Sequence, residues 1–361
     1  MIAVLKTVLF HLYIYTALSG GSIFWNADNG TLNNCSFKNG YAAAGPNKNS
    51  GDGGVIRWYG SYGSLNGCTF ENNHAKQDGG VLYWNGARCS LNNCSFINSS
   101  AGQQGGAIYW DASEGTLNGC SFVNSSAELS GGAITWNREK GTLRNCSFVN
   151  SRAEYSGGCI RVTDDFFSIY DSKFVNSTGY SQEGGAIQGD GNHALIYDCS
   201  FENCTLIPKN YESNDGGAIR YEGFNCTISH CSFIKNNATF AGAIMLDGDN
   251  GTVSYCYFVN NTSKYDGGAV YLSGTNGKIF DCVFEENTGH YGGAIKMSSG
   301  YGSISNCEFV NNHAGYQGGA ISFTGSNGVV YNCSFINNSA DTKAVLSTGM
   351  VQIIPLIIIF L

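Results

Sequence analysis

Three groups of residues in this 361-residue chain have types and spacings that could support chemistry. The acids come first. Arg161-Val162-Thr163-Asp164-Asp165, followed by Asp171, set three carboxylates and a cation within eleven residues. Polysaccharide lyases and glycoside hydrolases need carboxylates, sometimes with a basic residue, converging on one groove. Asp164 and Asp165 are neighbours, so in a strand they face opposite sides, and only a turn aims both at one substrate. Asp190, Glu222 and Asp247 occupy a place held elsewhere by Asn26, Asn85 and Asn137, which reads as a polar turn ladder. The second group is cysteine. Cys89/Cys94, Cys199/Cys204 and Cys226/Cys231 are C-x4-C pairs, which differ from the paired C-x2-C spacing of a zinc site. The third is histidine: His74 and His313 both stand in Asn-Asn-His-Ala, as surface variants of a repeat rather than one unique base. No Gly-x-Ser-x-Gly is present, and the Gly-Gly-Ala turns lack the Lys-Ser/Thr of a phosphate loop. The expectation is therefore a chain without enzyme activity, cofactor or metal, with Asp164, Asp165 and Asp171 as the carboxylates of the enzymatic alternative.

Composition narrows the partners. Nineteen Lys and Arg against 27 Asp and Glu give a net charge of −8, and no basic run appears. Phosphate binding needs clustered cations, so nucleic acid is not expected. Fifty glycines against three prolines exclude collagen, and 42% hydrophobic with 13% aromatic residues is too rich for a disordered chain. Fifteen cysteines is an odd number, so a closed disulfide framework cannot use them all.

These residues are positioned by a repeat. A glycine pair followed by a small and an aliphatic residue recurs, its second glycine at 21, 54, 80, 106, 132, 158, 185, 217, 242, 268, 293 and 319. Nine of the eleven intervals are 25 to 27 residues; the other two carry insertions near Pro46 and Pro208. A phenylalanine marks every copy, from Phe37 and Phe70 to Phe309 and Phe335, with an aliphatic residue five places before it. Cysteine stands two places before it in eleven copies, and Ser172 in the twelfth. Each copy holds two or three short apolar runs between Gly, Asn, Ser and Asp, which reads as strands rather than helix. One copy cannot bury its own apolar face, whereas stacked copies can. The chain is expected to be all-β: a parallel β-helix solenoid of about 12 coils of about 26 residues, spanning 20–340.

Alternation then gives side-chain direction. Counting from the second glycine, positions two and four are apolar (Ile108 and Trp110, Ile134 and Trp136, Ile295 and Met297) and should point inward. Position three varies through Arg57, Tyr83, Tyr109, Arg161, Arg220 and Lys296, and should form an outward, ligand-contacting column. The five tryptophans all occupy position four, where later coils carry mostly aliphatic residues, so they read as core in preference to a sugar-stacking face. Cys94 shares parity with Phe96, so the cysteine column should lie inside, as stacked thiols or, alternatively, as inter-coil disulfides or metal ligands.

The ends bear on location. Residues 1–19 read as a secretory signal, with a broken first coil as the competing reading. Residues 341–361 read as a hydrophobic cap or degenerate last coil, with membrane association through this tail as the alternative. Asn-x-Ser/Thr triplets, as at Asn93 and Asn98, arise from the repeat itself and would carry glycans only on an exported chain.

Gly131-Gly132-Ala133-Ile134 with Phe148-Val149-Asn150, and Gly292-Gly293-Ala294-Ile295 with Phe284-Glu285-Glu286-Asn287, resemble the repeat of chlamydial polymorphic outer-membrane proteins. The fuller wording across 105–127 is similar to adhesin-like surface proteins of methanogenic archaea. The resemblance covers about residues 20–340. It implies a right-handed, pectin-lyase-like parallel β-helix, exported to the cell surface or beyond, that attaches to glycans or proteins of other cells.

Overall fold

The structure is a computed structural model that describes residues 20–45, 51–180, 183–208 and 215–342, together with the backbone of short strands at Val4–Lys6, Leu9–His11, Thr16–Ala17, Leu346–Thr348, Val351–Ile354 and Ile358–Phe360. The signal-sequence and C-terminal-tail expectations, and parts of both insertions, fall largely outside the described residues. The chain divides into two compact units, Met1–Tyr180 and Ser181–Leu361. Both are built from short parallel strands, and no helix is present among the described residues.

One coil of the first unit runs through four strands, Ser90–Asn92, Ser95–Ile97, Ser100–Ala101 and Ile108–Trp110. Each pairs in parallel with its counterpart in the next coil, matching Leu91 with Leu117, Phe96 with Phe122, Ala101 with Ala127 and Trp110 with Trp136. Four ladders result, named here the Leu, Phe, Ala and Ile–Trp ladders after their inward residues. The second unit repeats the plan through Thr227–Ser229, Ser232–Ile234, Asn237–Ala238 and Ile244–Leu246. Two or three apolar runs per copy are thus four strands, because the Ala strand is two residues long in most coils and carries too little hydrophobicity to register.

The corners explain the periodic asparagines. Asn93 and Asn98 separate the Leu, Phe and Ala strands, with φ of 51° and 52°, and Asn124, Asn145 and Asn150 repeat the conformation. Asn tolerates the left-handed region better than most residues, so each corner turns at little cost. The glycine pair has a different cause at each position. Gly105 has φ of 64°. A Cβ on Gly106 would sit 2.0 Å from the carbonyl oxygen of Gly132, so no side chain fits there.

The core is a set of stacks running from coil to coil. Phe70, Phe96, Phe122, Phe148 and Phe174 stack with ring centroids 4.7–5.0 Å apart, and Trp58, Trp84, Trp110 and Trp136 do so at 4.5–5.0 Å. In the second unit Phe201, Phe233, Phe258, Phe284, Phe309 and Phe335 continue the pattern at 4.7–5.0 Å. All of these rings are buried, so the tryptophans are core. Burying each contributes about 2–3 kcal/mol by area, which makes these columns the main source of stability. The cysteines line the inside as well, and no disulfide joins them. Cys256 lends its sulfur to the amide of Cys231 at 3.5 Å, and Ser172 makes the equivalent contact with the amide of Cys146 at 3.1 Å. Serine therefore fills a place in the cysteine column with the same hydrogen bonding.

Candidate functional site

The outer face of the Ile–Trp ladder is where the position-three side chains emerge, and it is less open than alternation implies. The glycine pair turns the chain so that the residue five places earlier lies beside each of them. In the first unit Arg57 is only 4% exposed, with Nη1 3.0 Å from Oδ2 of Asp52. Its guanidinium also lies over the rings of Tyr83 and Tyr59, 4.8 and 5.3 Å from their centroids. Tyr83 and Tyr109, both half-buried, stack at 5.1 Å, and Asn137 donates through Nδ2 to the Tyr109 hydroxyl. Thr135 is buried and donates to the Ser130 carbonyl at 3.1 Å. Arg161, half-buried, donates to the Val162 carbonyl at 3.4 Å.

A second row, just ahead of the glycine pairs, thus joins the position-three column. Asp52 Oδ1 accepts from the Asp78 amide at 3.3 Å, and Asp78 Oδ1 from the Gln104 amide at 3.0 Å. Burial raises Asp52 against the lowering pull of Arg57. Asp78 is pushed up to about 7 by burial, with the Asp52 charge adding to the effect. Tyr109 is raised to about 12 by burial and the charges of Asp78 and Asp111. The stacked tyrosines cover each other's faces, so they offer ligands their rims and hydroxyls rather than a CH–π platform.

In the second unit the same face is acidic. Arg220 pairs with Asp247 at 2.9 Å, Asp215 at 3.2 Å and Glu222 at 3.3 Å, and also with Glu183. One cation thus meets four carboxylates. Burial pushes Asp215 up to about 6, against the opposing pull of Arg220. Asp247 also accepts from the Ser273 hydroxyl. Farther along, Lys296 is 8% exposed, donates to Ser322 Oγ at 3.3 Å, and lies 5.3 Å from the Tyr291 centroid. Burial lowers its pKa while Asp266 opposes that. The outward column therefore needs correcting at two places: Arg57 and Lys296 are buried beneath their neighbours, while Tyr83, Tyr109 and Arg161 are half-buried and the Arg220 side chain, 15% exposed, is enclosed by its carboxylates.

The carboxylates of the enzymatic alternative are not gathered. Asp164 and Asp165 lie in the turn after Ile160–Val162, where Asp164 Oδ1 accepts from the Asp165 amide at 2.9 Å. Asp171 sits at the next corner, exposed, with φ of 50°, beyond the strand Ser168–Tyr170. His74 and His313 are outward residues of the Ala ladder, each against a serine hydroxyl, Ser100 at 2.9 Å and Ser339 at 3.0 Å. Among the described residues no group of three or more His, Cys, Asp or Glu is placed to hold a metal, and no helix is long and apolar enough to cross a membrane.

Two features escaped the sequence reading. In the sequence Asp52, Asp78, Asp215 and Asp266 are simply aspartates that precede glycine pairs, and only the turn places Asp52 and Asp215 beside the position-three side chains. An exposed aromatic run, Tyr197, His230 and Tyr255 with centroids 4.8 Å apart, forms where a strand-end tyrosine meets two corner residues of the following coils.

The family model described as "Right handed beta helix region" matches residues 132–315 and 243–351. The model of the Chlamydia polymorphic membrane protein repeat matches residues 67–83. No curated protein matches the chain. Among solved structures, a mannuronic acid specific polysaccharide family 6 lyase from human gut microbiota is similar over 97% of this chain and 82% of its own, at 11% identity and a TM-score of 0.44.

Proposed function

This chain belongs to the right-handed β-helix family, and from that premise we propose that it is a non-catalytic, adhesin-like cell-surface protein that binds cell-surface or polysaccharide ligands through the outward face of its Ile–Trp ladder. The observation that carries this reading is the contrast between the two faces of one strand. The inward residue at position two barely varies, as Ile108, Ile134 and Ile160 illustrate, and position four stays buried. The outward residues change from Tyr109 to Thr135 to Arg161 over the same coils. Such a face presents different chemistry at each step of about 4.8 Å without disturbing the core. The half-buried rims of Tyr83 and Tyr109 are its principal contacts. Its ligands are glycans or proteins of other cells.

The match to the chlamydial membrane-protein repeat across 67–83 supports surface display. It is tested by protease shaving of intact cells that make the protein. Peptides from 51–342 released without lysis support the reading, and peptides released only after lysis contradict it.

A further inference from the structure

In the first unit the outer face of the Ile–Trp ladder carries a second row of polar groups. Tyr83, Tyr109, Thr135 and Arg161 are followed, two residues on and therefore on the same side, by Asn85, Asp111, Asn137 and Thr163. The two rows run side by side about 7 Å apart, and each repeats once per coil at about 4.8 Å. Backbone bonds fix the second row: its amides donate to the carbonyls of Trp58, Trp84, Trp110 and Trp136 at 2.8–3.1 Å. Side chains link it along the coil axis. Asn85 Nδ2 donates to Asp111 Oδ2 at 3.2 Å, the Thr163 hydroxyl donates to Asn137 Oδ1 at 3.3 Å, and Asn137 holds the Tyr109 hydroxyl. Asn85 and Thr163 are exposed, and Asp111 and Asn137 are half-buried.

Three observations limit what this strip can hold. Its arginines are already engaged, Arg57 with Asp52, Arg138 with Asp111 at 2.9 Å, and Arg161 with the Val162 carbonyl. An acidic ligand would have to displace one of these contacts and would face the Asp111 carboxylate. The strand Ile108–Trp110 is paired on both sides, by Leu82–Trp84 and Ile134–Trp136, so an extended peptide finds no free backbone edge. The Tyr83 and Tyr109 rings cover each other, which leaves hydroxyls and amides at one-coil intervals as the groups on offer. An Asn amide both donates and accepts, as a sugar hydroxyl does. One hexose ring of an extended chain is also about as long as one coil is high. We propose that the ligand of this face is an uncharged glycan chain in extended form, lying along the coil axis over the three coils from Asn85 to Asn137, with these two amides contacting its hydroxyls beside Tyr83 and Tyr109. The proposal rests on this face being the ligand-binding one, and it adds the class, length and direction of the ligand.

The test is calorimetric titration of the full chain with hexamers and dimers of β-linked glucose, mannose and N-acetylglucosamine, and with the hexamer of galacturonic acid. At least one neutral hexamer should bind, its dimer at least tenfold more weakly, and the galacturonate hexamer not measurably. Asn85→Ala/Asn137→Ala should weaken that hexamer about tenfold, the loss expected for one or two hydrogen bonds. Asn92→Ala, the same change on the outer side of the Leu ladder, should leave binding unchanged. If the double variant does not fold, the length and charge series on the wild-type chain decides alone. Tighter binding of the galacturonate hexamer, equal binding of dimer and hexamer, or full binding by the folded double variant would overturn the proposal while leaving the face a ligand site. So would a chain that binds cells through Tyr83 and Tyr109 but none of the neutral sugars. A chain that binds neither sugars nor cells removes the ligand-binding reading of the face together with the proposal.

Discussion

Asp52 and Arg57, five residues apart, form an ion pair of 3.0 Å that is buried beneath the outer face of the Ile–Trp ladder. The pair exists because the left-handed Gly53 folds its own coil back over the following strand. Removing one partner leaves the other charge buried without its counterion. Asp52→Ala should therefore destabilise the first unit by about 3 kcal/mol. Asp52→Ala/Arg57→Met should cost clearly less, because no orphan charge remains. Urea unfolding of both variants, followed by tryptophan fluorescence from Trp58 and its neighbours, checks the ordering.

Stability should fall as pH rises from about 4 to about 7. A carboxyl whose folded-state pKa is raised binds its proton more tightly when folded, so the stabilisation is present below about pH 4 and is lost as pH rises through the folded value. For Asp78 that loss runs from about pH 4 to about 7, and for Asp215 from about pH 4 to about 6. Asp78→Asn keeps an oxygen for the Gln104 amide and removes the titration. The variant should be more stable than wild type at pH 8, by roughly 2 kcal/mol, and little different at pH 4. Thermal midpoints across pH 4 to 8 decide it; parallel curves for the two proteins would contradict the assignment.

Two buried polar columns should respond in opposite ways. Asn287 accepts from the amide and the side chain of Asn261 and donates to Phe258 and Asn312, with all four contacts at 3.0 Å. Asn287→Ala orphans these groups and should cost about 3 kcal/mol or more. Among the described residues the buried Ser125 hydroxyl has no hydrogen-bond partner. Ser125→Ala should leave stability within about 0.5 kcal/mol of wild type. Urea midpoints of the two variants check the contrast.

Gly106→Ala should be among the most damaging single substitutions. Its Cβ would meet the Gly132 carbonyl oxygen at 2.0 Å, a backbone atom that cannot swing aside. Asn124→Ala leaves the corner intact but moves a left-handed residue to a type that resists it, at a cost of about 1 kcal/mol. Limited proteolysis should cut the glycine variant rapidly near 100–135 and leave the asparagine variant resistant.

Much of the fold was legible because a repeat states each rule twelve times. The parity of Ile108 and Trp110, of Cys94 and Phe96, and the direction of Tyr109 all follow from alternation within strands. What alternation does not carry is the path of the chain between strands. The turn at Gly53 brings Asp52 over Arg57, so a side chain that points outward is nonetheless covered, and the same holds for Lys296. The grouping of Glu183, Asp215, Glu222 and Asp247 around Arg220 was likewise hidden, since it depends on how neighbouring coils align. Asp164, Asp165 and Asp171 are close in sequence but occupy successive corners, because a single three-residue strand is enough to separate them.

The central claim is that the outward face of the Ile–Trp ladder binds ligands without chemistry. Its most direct test is to apply the purified chain and its Tyr83→Ala/Tyr109→Ala variant to an array of cell-surface and microbial glycans and to intact host cells. Any bound polysaccharide is then incubated with the chain and its size followed. Binding to a defined subset of glycans or cells, weakened at least tenfold in the variant and with polymer length unchanged, is the predicted result. Equal binding by the two proteins, or shortening of the polymer, would contradict the account.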